Sequence, residues 1–142
     1  MKFICANVLA LVLASVVPQV NAQSTADNIE RLTGNVLIDH QVIGRGVGPT
    51  ATDTVLVHYR GMLVDGTEFD SSYKRNKPTS FPLNSVIPCW TTALQEMAEG
   101  SKAKITCPAA TAYGARAVGD LIPANSDLMF EIELLHVLKS NN

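Results

Sequence analysis

The chain has 142 residues, of which 46% are hydrophobic and 17% are charged, and its formal net charge at pH 7 is −2. Its 11 Lys and Arg residues are scattered along the chain and do not form a basic patch. Because nucleic-acid-binding domains concentrate positive charge on one face, this composition argues against nucleic acid as a partner.

The first 22 residues have the pattern of a cleavable secretory signal peptide. Lys2 precedes an apolar run over residues 8–17, Pro18 ends this run, and Ala22 closes a stretch that signal peptidase would recognise. The run is shorter than the roughly 18–20 residues that a bilayer span needs, so a transmembrane anchor is the weaker interpretation. We predict cleavage after Ala22 and export to the periplasm or the medium. The remaining 120 residues (142 − 22) have the size of one domain.

Cysteine usage agrees with export. Cleavage would remove Cys5 and leave Cys89 and Cys107 as an even pair in an oxidising compartment. A disulfide fits this pair, and so do two buried thiols packed as small apolar side chains. Because a bridge requires a specific Cα separation, the sequence leaves both interpretations open.

Residues 23–35 are polar and lack a long apolar periodicity, which predicts a flexible lead-in. Asp27 could cap a helix of one or two turns through Ile29 and Leu32. The domain itself is expected to span residues 36–139, where no internal repeat or linker occurs.

Alternating apolar residues predict strands through most of this span. The pattern occurs at Val36–Val42, Val55–Tyr59, Ala103–Cys107 and Leu128–Leu138. Asp65-Gly66 predicts a tight turn that returns the chain through Phe69, and Pro78 and Pro82 predict an edge strand. The Gly-rich residues 44–49 lack the helix and the Lys-Ser/Thr pair of a phosphate loop, so a hairpin or loop is expected.

One segment has helical spacing. Trp90, Ala93, Leu94 and Met97 fall at i, i+3, i+4 and i+7, and Gly100 follows where a helix should stop. A single helix among many strands predicts an α+β fold, with an antiparallel sheet wrapped on that helix.

The usual catalytic motifs are missing. There is no G-x-S-x-G, and His40, His58 and His136 are far apart in strand contexts, where structural roles are expected. The acids between Asp65 and Asp70 lack the ligand spacing of a calcium loop. We therefore expect neither a metal nor a cofactor.

Aromatic residues from separate elements, with one acid beside them, are the remaining candidates. They are Tyr59, Phe69, Trp90, Tyr113 and Phe130, with Asp70 next to Phe69. On composition alone these residues are best explained as the core of a small domain. A half-open pocket competes with this interpretation, because Tyr and Trp favour sites where their polar atom finds a partner.

A series of short motifs links these residues. They are Val57–Leu63 (VHYRGML), Asp65–Ser72 (DGTEFDSS), Val86–Trp90 (VIPCW), Ala112–Gly114 (AYG), Leu121–Pro123 (LIP) and Leu128–Leu135 (LMFEIELL). In order and spacing they resemble the FKBP-type peptidyl-prolyl cis/trans isomerase domain over residues 36–138. Secretion and the spacing from Pro108 to Tyr113 resemble its macrophage-infectivity-potentiator branch. That branch often has a long helical dimerisation segment before the domain. The lead-in here is too short for one, so a monomer is expected.

The resemblance implies a strongly twisted antiparallel sheet around a helix at Trp90–Met97, and a cavity that holds proline. The proline ring would rest on Trp90, while the Ile87 N–H and the Tyr113 hydroxyl would donate hydrogen bonds to substrate carbonyls. Asp70 would lie near the twisting amide and, with Tyr113 and Tyr59, make up the catalytic set. The remaining substrate-binding residues are Phe69, Val86, Leu121, Ile122 and Phe130. Macrolides such as rapamycin bind the same pocket in such families.

The implied activity is isomerisation of Xaa-Pro bonds in exported proteins. No bond is broken, so the missing nucleophile, metal and cofactor agree with it. We hypothesise that Tyr59 and Arg75 hold the Asp70 carboxylate in the apolar wall, since an unpaired buried charge is costly. The alternative is a strand-end acid that caps the Ser71-Ser72 turn.

Three positions depart from the family pattern. Thr79 stands where many relatives carry an aromatic residue, Val118 where some carry His, and Asp120 replaces a frequent glycine. Two other functions therefore stay open. One is a chaperone or binding module that holds proline segments with little turnover, and the other is a surface interaction protein.

Overall fold

The computed structural model describes residues 28–141, which contain seven strands and one α-helix. The strands are β1 (Ile29–Arg31), β2 (Leu37–Val42), β3 (Thr54–Leu63), β4 (Glu68–Ser71), β5 (Thr79–Pro82), β6 (Lys102–Cys107) and β7 (Leu128–Leu138). Helix α1 (Pro88–Leu94) lies between β5 and β6. The predicted signal peptide and its cleavage site lie outside the described residues.

The strands form one antiparallel sheet in the order β1-β2-β6-β7-β3-β4, and β5 pairs with β3 as an additional edge. The central strands β3 and β7 pair along their whole length, from Thr54 opposite Leu138 to Leu63 opposite Leu128. The chain is α+β, as the strand and helix patterns predicted, and β5 lies at an edge, as its prolines predicted. Within residues 28–141, no helix is long and apolar enough to cross a bilayer.

The core lies between α1 and the sheet face that carries every second residue of β3. Val55, Val57 and Tyr59 are buried, while the residues between them are only partly covered. Buried side chains of α1, including Leu94, belong to the same cluster. The period-two and period-3.6 patterns therefore identified the two faces that meet.

The helix begins and ends earlier than its apolar spacing predicted. Pro88 occupies the first turn, where proline needs no hydrogen-bond donor and its φ already suits a helix. After Leu94, backbone N–H groups donate to carbonyls three residues back, from Glu96 to Ala93 and from Met97 to Leu94. Met97 is buried in this tightened turn, which explains why it completed the apolar stripe.

The lead-in also differs from its prediction. A helical turn through Ile29 is wrong, because Ile29–Arg31 is strand β1, paired antiparallel with Leu37–Asp39 of β2. Gly34 and Asn35 adopt positive φ values of 75° and 60° between the two strands. Glycine and asparagine tolerate this conformation, so the chain reverses there. Ordered structure thus starts before residue 36.

Candidate active site

A cavity of about 490 Å³ opens beside α1, between β3, β4, β5 and the loop that follows β6. Its lining is mostly aromatic and aliphatic. The lining residues are Tyr59, Phe69, Asp70, Phe81, Ser85, Val86, Ile87, Pro88, Trp90, Ala112, Tyr113, Arg116 and Phe130.

Trp90 forms the floor of this cavity and is only 4% exposed. Three rings pack edgewise against its indole: Tyr59, Phe81 and Phe130, each with its centroid 5.3 Å away. This arrangement is favourable for aromatic pairs. The indole Nε1–H is buried and has no hydrogen-bond partner within residues 28–141. Ring packing therefore holds the indole in place.

The wall formed by Phe69 and Phe130 depends on a glycine beneath it. The two rings meet edge to face with centroids 5.7 Å apart. Gly61 of β3 lies against them, and a Cβ at this position would be 2.6 Å from the Phe69 ring and 3.0 Å from that of Phe130. Only a residue without a side chain lets both rings approach β3 this closely.

Asp70 projects from β4 and is held by two donors. The Tyr59 hydroxyl donates a hydrogen bond to one of its carboxylate oxygens, and the Arg75 guanidinium donates to the other. Arg75 also donates to the Tyr59 hydroxyl at 3.0 Å and lies over the Tyr59 ring. The three side chains form a closed triangle at the edge of the cavity.

This triangle sets the ionisation of its members. Burial raises the pKa of the Asp70 carboxyl, but the hydrogen bonds from Tyr59 and Arg75 outweigh burial, and the pKa is lowered. Burial raises the pKa of the Tyr59 hydroxyl, and the hydrogen bond to Asp70 raises it further. At neutral pH Asp70 is therefore an anion whose charge Arg75 compensates, and Tyr59 is a neutral donor.

Besides the buried Trp90 Nε1–H and the Arg116 guanidinium, two hydrogen-bond donors in the lining have no acceptor within residues 28–141. They are the Ile87 N–H, at the start of α1, and the hydroxyl of Tyr113, which is 38% exposed. The Tyr113 loop is closed by a hydrogen bond from the Gly114 N–H to the Ala109 carbonyl, at 2.8 Å. Both donors are therefore available to carbonyl groups of a bound molecule.

A disulfide joins the floor to this loop. Cys89 in α1 and Cys107 at the end of β6 are bridged, with their Cα atoms 5.6 Å apart, and both are fully buried. Cys89 directly precedes Trp90, and Cys107 directly precedes the loop that carries Tyr113. The bridge thus connects two parts of the cavity that are distant in sequence.

Most of the predicted site residues meet in the cavity, but two do not. Ile122 is buried in the core and Leu121 is 60% exposed, and neither lines the cavity. A short bridge between Val118 and Ile122 turns this segment back on itself. Their contact with a substrate stays a prediction that this geometry does not support.

Sequence analysis assigned no site role to five residues of the lining, which are Phe81, Ser85, Pro88, Ala112 and Arg116. Phe81 packs on both Trp90 and Tyr59, and Arg116 brings a cation to the rim. Alternation along β5 could have indicated Phe81, because it lies two residues after Thr79, the position at which the family pattern has an aromatic. Nothing in the local pattern indicated Arg116.

The lining of the cavity suits non-covalent contacts with a bound molecule. Within residues 28–141 no group of three His, Cys, Asp or Glu side chains could hold a metal ion. The cavity offers an apolar floor for a small ring, two free donors for carbonyl groups and a compensated carboxylate nearby. This combination suits binding of a short peptide segment that contains an apolar ring.

Comparison with known proteins identifies close relatives. A family model described as FKBP-type peptidyl-prolyl cis-trans isomerase matches residues 46–135. FkpA of Aeromonas hydrophila is 44% identical over 118 residues, which are 83% of this chain and 44% of the relative. The FKBP-type 22 kDa peptidyl-prolyl cis-trans isomerase of Escherichia coli K12 is 50% identical over 103 residues, 71% of this chain and 50% of the relative.

Solved structures agree with these matches. A peptidyl-prolyl cis-trans isomerase from Pseudomonas syringae pv. tomato has a TM-score of 0.75 at 41% identity, covering 80% of this chain and 83% of that chain. FkpA from Escherichia coli has a TM-score of 0.77 at 40% identity, and the match covers 81% of this chain and 54% of that chain. The chain spans half or less of the length of the two curated relatives named above.

Proposed function

Because this chain belongs to the FKBP-type peptidyl-prolyl cis-trans isomerase family, we propose that it catalyses cis/trans isomerisation of Xaa-Pro bonds in exported proteins. The observation that carries the proposal is the aromatic cavity over Trp90. It has room for a proline ring, and its lining includes the Ile87 N–H and the Tyr113 hydroxyl, which have no acceptor within the described residues. The domain proposed for this activity covers residues 36–139. It is extended upstream by strand β1, which forms a hairpin with β2 (the β1 hairpin).

The physical basis of catalysis is the polarity of the amide. Resonance gives the C–N bond partial double-bond character and a rotation barrier of roughly 18–20 kcal/mol. When the amide twists, resonance is lost and its charge separation falls. Water stabilises the planar form more than the twisted one, and an apolar cavity removes this preference. Each ~1.4 kcal/mol of differential stabilisation increases the rate tenfold.

Different residues of the cavity bind different parts of the substrate. The proline ring rests on the Trp90 indole between Phe69 and Phe130. The Ile87 N–H and the Tyr113 hydroxyl hold substrate carbonyls, so the peptide is positioned while the Xaa-Pro bond turns. Phe81, which sequence analysis missed, supports the indole from the β5 side.

Asp70 acts on the substrate through the electric field of its carboxylate. As an anion held by Tyr59 and Arg75, it lies at the edge of the cavity beside Phe69, where it orients the rotating group. Tyr59 contributes by fixing the carboxylate in position, since its hydroxyl donates to Asp70. The triangle explains why an acid can occupy an otherwise apolar wall.

We further propose that the protein works outside the cytoplasm and binds prolyl segments of its clients. A bridged Cys89–Cys107 pair suits an oxidising compartment. One relative, 46% identical over 105 residues, is named outer membrane protein MIP of Legionella longbeachae. Macrolides such as rapamycin are proposed as competitors for the same cavity.

A protease-coupled assay with an Xaa-Pro peptide tests the function. We expect turnover that a macrolide abolishes, and a large loss of turnover in Trp90→Leu, which removes the floor. The far-ultraviolet spectrum and melting temperature of the variant control for folding, because Trp90 is also a core residue. Macrolide binding without turnover in the wild-type chain would favour the binding-module alternative instead.

A further inference from the structure

One charged side chain in the cavity lining has no counter-charge. Arg116 is exposed and lines the cavity close to Tyr113 in sequence. It forms no salt bridge with any Asp or Glu of residues 28–141. Its charge therefore faces the solvent-filled mouth of the cavity, where a bound peptide would lie.

The other charged residue of the lining does not offset Arg116. Asp70 already forms an ion pair with Arg75 and accepts a hydrogen bond from Tyr59. Asp120, on the same loop as Arg116, is exposed but does not line the cavity. The mouth of the cavity thus carries one uncompensated positive charge.

The backbone holds Arg116 at this position. Its N–H donates to the Tyr113 carbonyl at 3.2 Å, which closes a turn between the two residues. The Asn125 N–H donates to the Gly114 carbonyl at 2.8 Å and anchors the turn to the next part of the loop. Arg116 is therefore held three residues after Tyr113, which is proposed to bind a substrate carbonyl.

We propose that Arg116 is a specificity-determining residue that favours prolyl segments with an Asp or Glu side chain next to the proline. This inference rests on the proposed isomerase function and adds a substrate preference to it. The guanidinium attracts the flanking carboxylate and repels a flanking Lys or Arg. Because both partners stay partly in water, the effect is about two- to fivefold in kcat/KM, and salt reduces it.

Capped peptides with neutral ends test this preference without adding other charges. One set carries Glu, Gln or Lys before the proline, and a second set carries them after it. Exchange NMR measures the catalysed isomerisation of each peptide without a coupling protease. The proteins are the wild-type chain, Arg116→Gln, Arg116→Glu and a control, Arg45→Glu, which changes an exposed arginine that does not line the cavity.

We expect the wild-type chain and Arg45→Glu to favour Glu over Lys on at least one flank of the proline. Arg116→Gln should lose the preference, and Arg116→Glu should invert it. The preference is the ratio of kcat/KM for the Glu and Lys peptides within one protein, and the Gln peptide gives each protein its own reference rate. Active enzyme without a Glu preference on either flank, or a preference that persists in Arg116→Glu, overturns the inference alone. Absence of catalysis for every peptide in the wild-type chain overturns the proposed function and this inference with it.

Discussion

At the residue scale, the Asp70 carboxylate combines a structural and a chemical role. Its pKa is lowered because the donors Tyr59 and Arg75 outweigh burial. It consequently stays ionised through the whole neutral range. A contribution of Asp70 to catalysis should thus be independent of pH between about pH 5 and pH 8.

Replacing Asp70 separates its two roles. In Asp70→Asn we expect kcat/KM to fall by roughly tenfold, because the Asn side chain carries no charge. This corresponds to about 1.4 kcal/mol of lost transition-state stabilisation. The protease-coupled assay measures this change. Asp65→Asn is the control, since Asp65 lies in the exposed turn after β3 and Asn retains the oxygen that accepts the Thr67 N–H. Unchanged turnover in Asp70→Asn would limit Asp70 to capping its turn.

Asp53, which does not line the cavity, is expected to affect stability at low pH. Hydrogen bonds from the Thr50 N–H, the Lys139 ammonium and the Ser140 N–H lower its pKa. A lowered pKa in the folded state means that stabilisation is present above the unfolded pKa, near 3.8. It is lost as the pH falls below that value.

We therefore expect Asp53→Asn to lower the melting temperature at pH 7 by several degrees and to weaken its dependence on pH below 4. Thermal unfolding at pH 7 and pH 3 measures both effects. Asp120→Asn serves as the control, because Asp120 is exposed and forms no salt bridge within residues 28–141. An equal loss in both variants would show that the contacts of Asp53 are not responsible.

At the element scale, the pairing of β3 with β4 on one side and β7 on the other shapes the cavity wall. In Gly61→Ala the new Cβ would push Phe69 and Phe130 apart, an overpacking cost of about 1–3 kcal/mol. We expect weaker macrolide binding, measured by calorimetry, and lower kcat/KM. Gly48→Ala is the matched control, because its Cβ would make an ordinary contact of 3.5 Å with the Met97 carbonyl oxygen. Equal macrolide affinity in both variants would contradict this account of the wall.

The disulfide links α1 to β6, so its loss should affect both stability and the cavity. Its closed loop, with a sequence separation of 18, predicts a loss of about 3 kcal/mol in unfolding free energy for the double Cys→Ala variant at Cys89 and Cys107. Urea unfolding measures this loss. Trp90 is the chain's single tryptophan, so its fluorescence reports any movement of the floor. Detection of two free thiols in the exported protein would contradict the bridge.

For the molecule as a whole, the β1 hairpin defines how much chain the domain needs. All three residues of β1 are exposed, so its pairing with β2 contributes hydrogen bonds and little buried apolar surface. A chain shortened to begin at residue 36 should fold and keep its isomerase activity, with a lower melting temperature. Circular dichroism and the isomerase assay test this, with a chain that begins at residue 23 as the control. A shortened chain that cannot fold would make the hairpin an essential part of the domain.

The sequence by itself determined the fold class, the two faces of the core and most of the residues that line the cavity. Alternation along β3 and the apolar stripe of α1 are local patterns, because a side chain's direction follows from its position in a strand or helix. The residue pattern singled out Tyr59, Phe69, Asp70, Trp90 and Phe130 as candidates, and the resemblance of ordered motifs assigned them to one site. The structure brings all five to one cavity.

Only the tertiary structure decided which residues from distant segments meet. It joined Cys89 to Cys107, brought Phe81 onto Trp90 and left Ile122 in the core. It also placed Arg116 at the rim, where its side chain forms no salt bridge within the described residues. These outcomes depend on strand neighbours and loop closures between residues far apart in the chain. Local propensity and spacing do not encode such contacts, because they arise when the sheet and helix pack together.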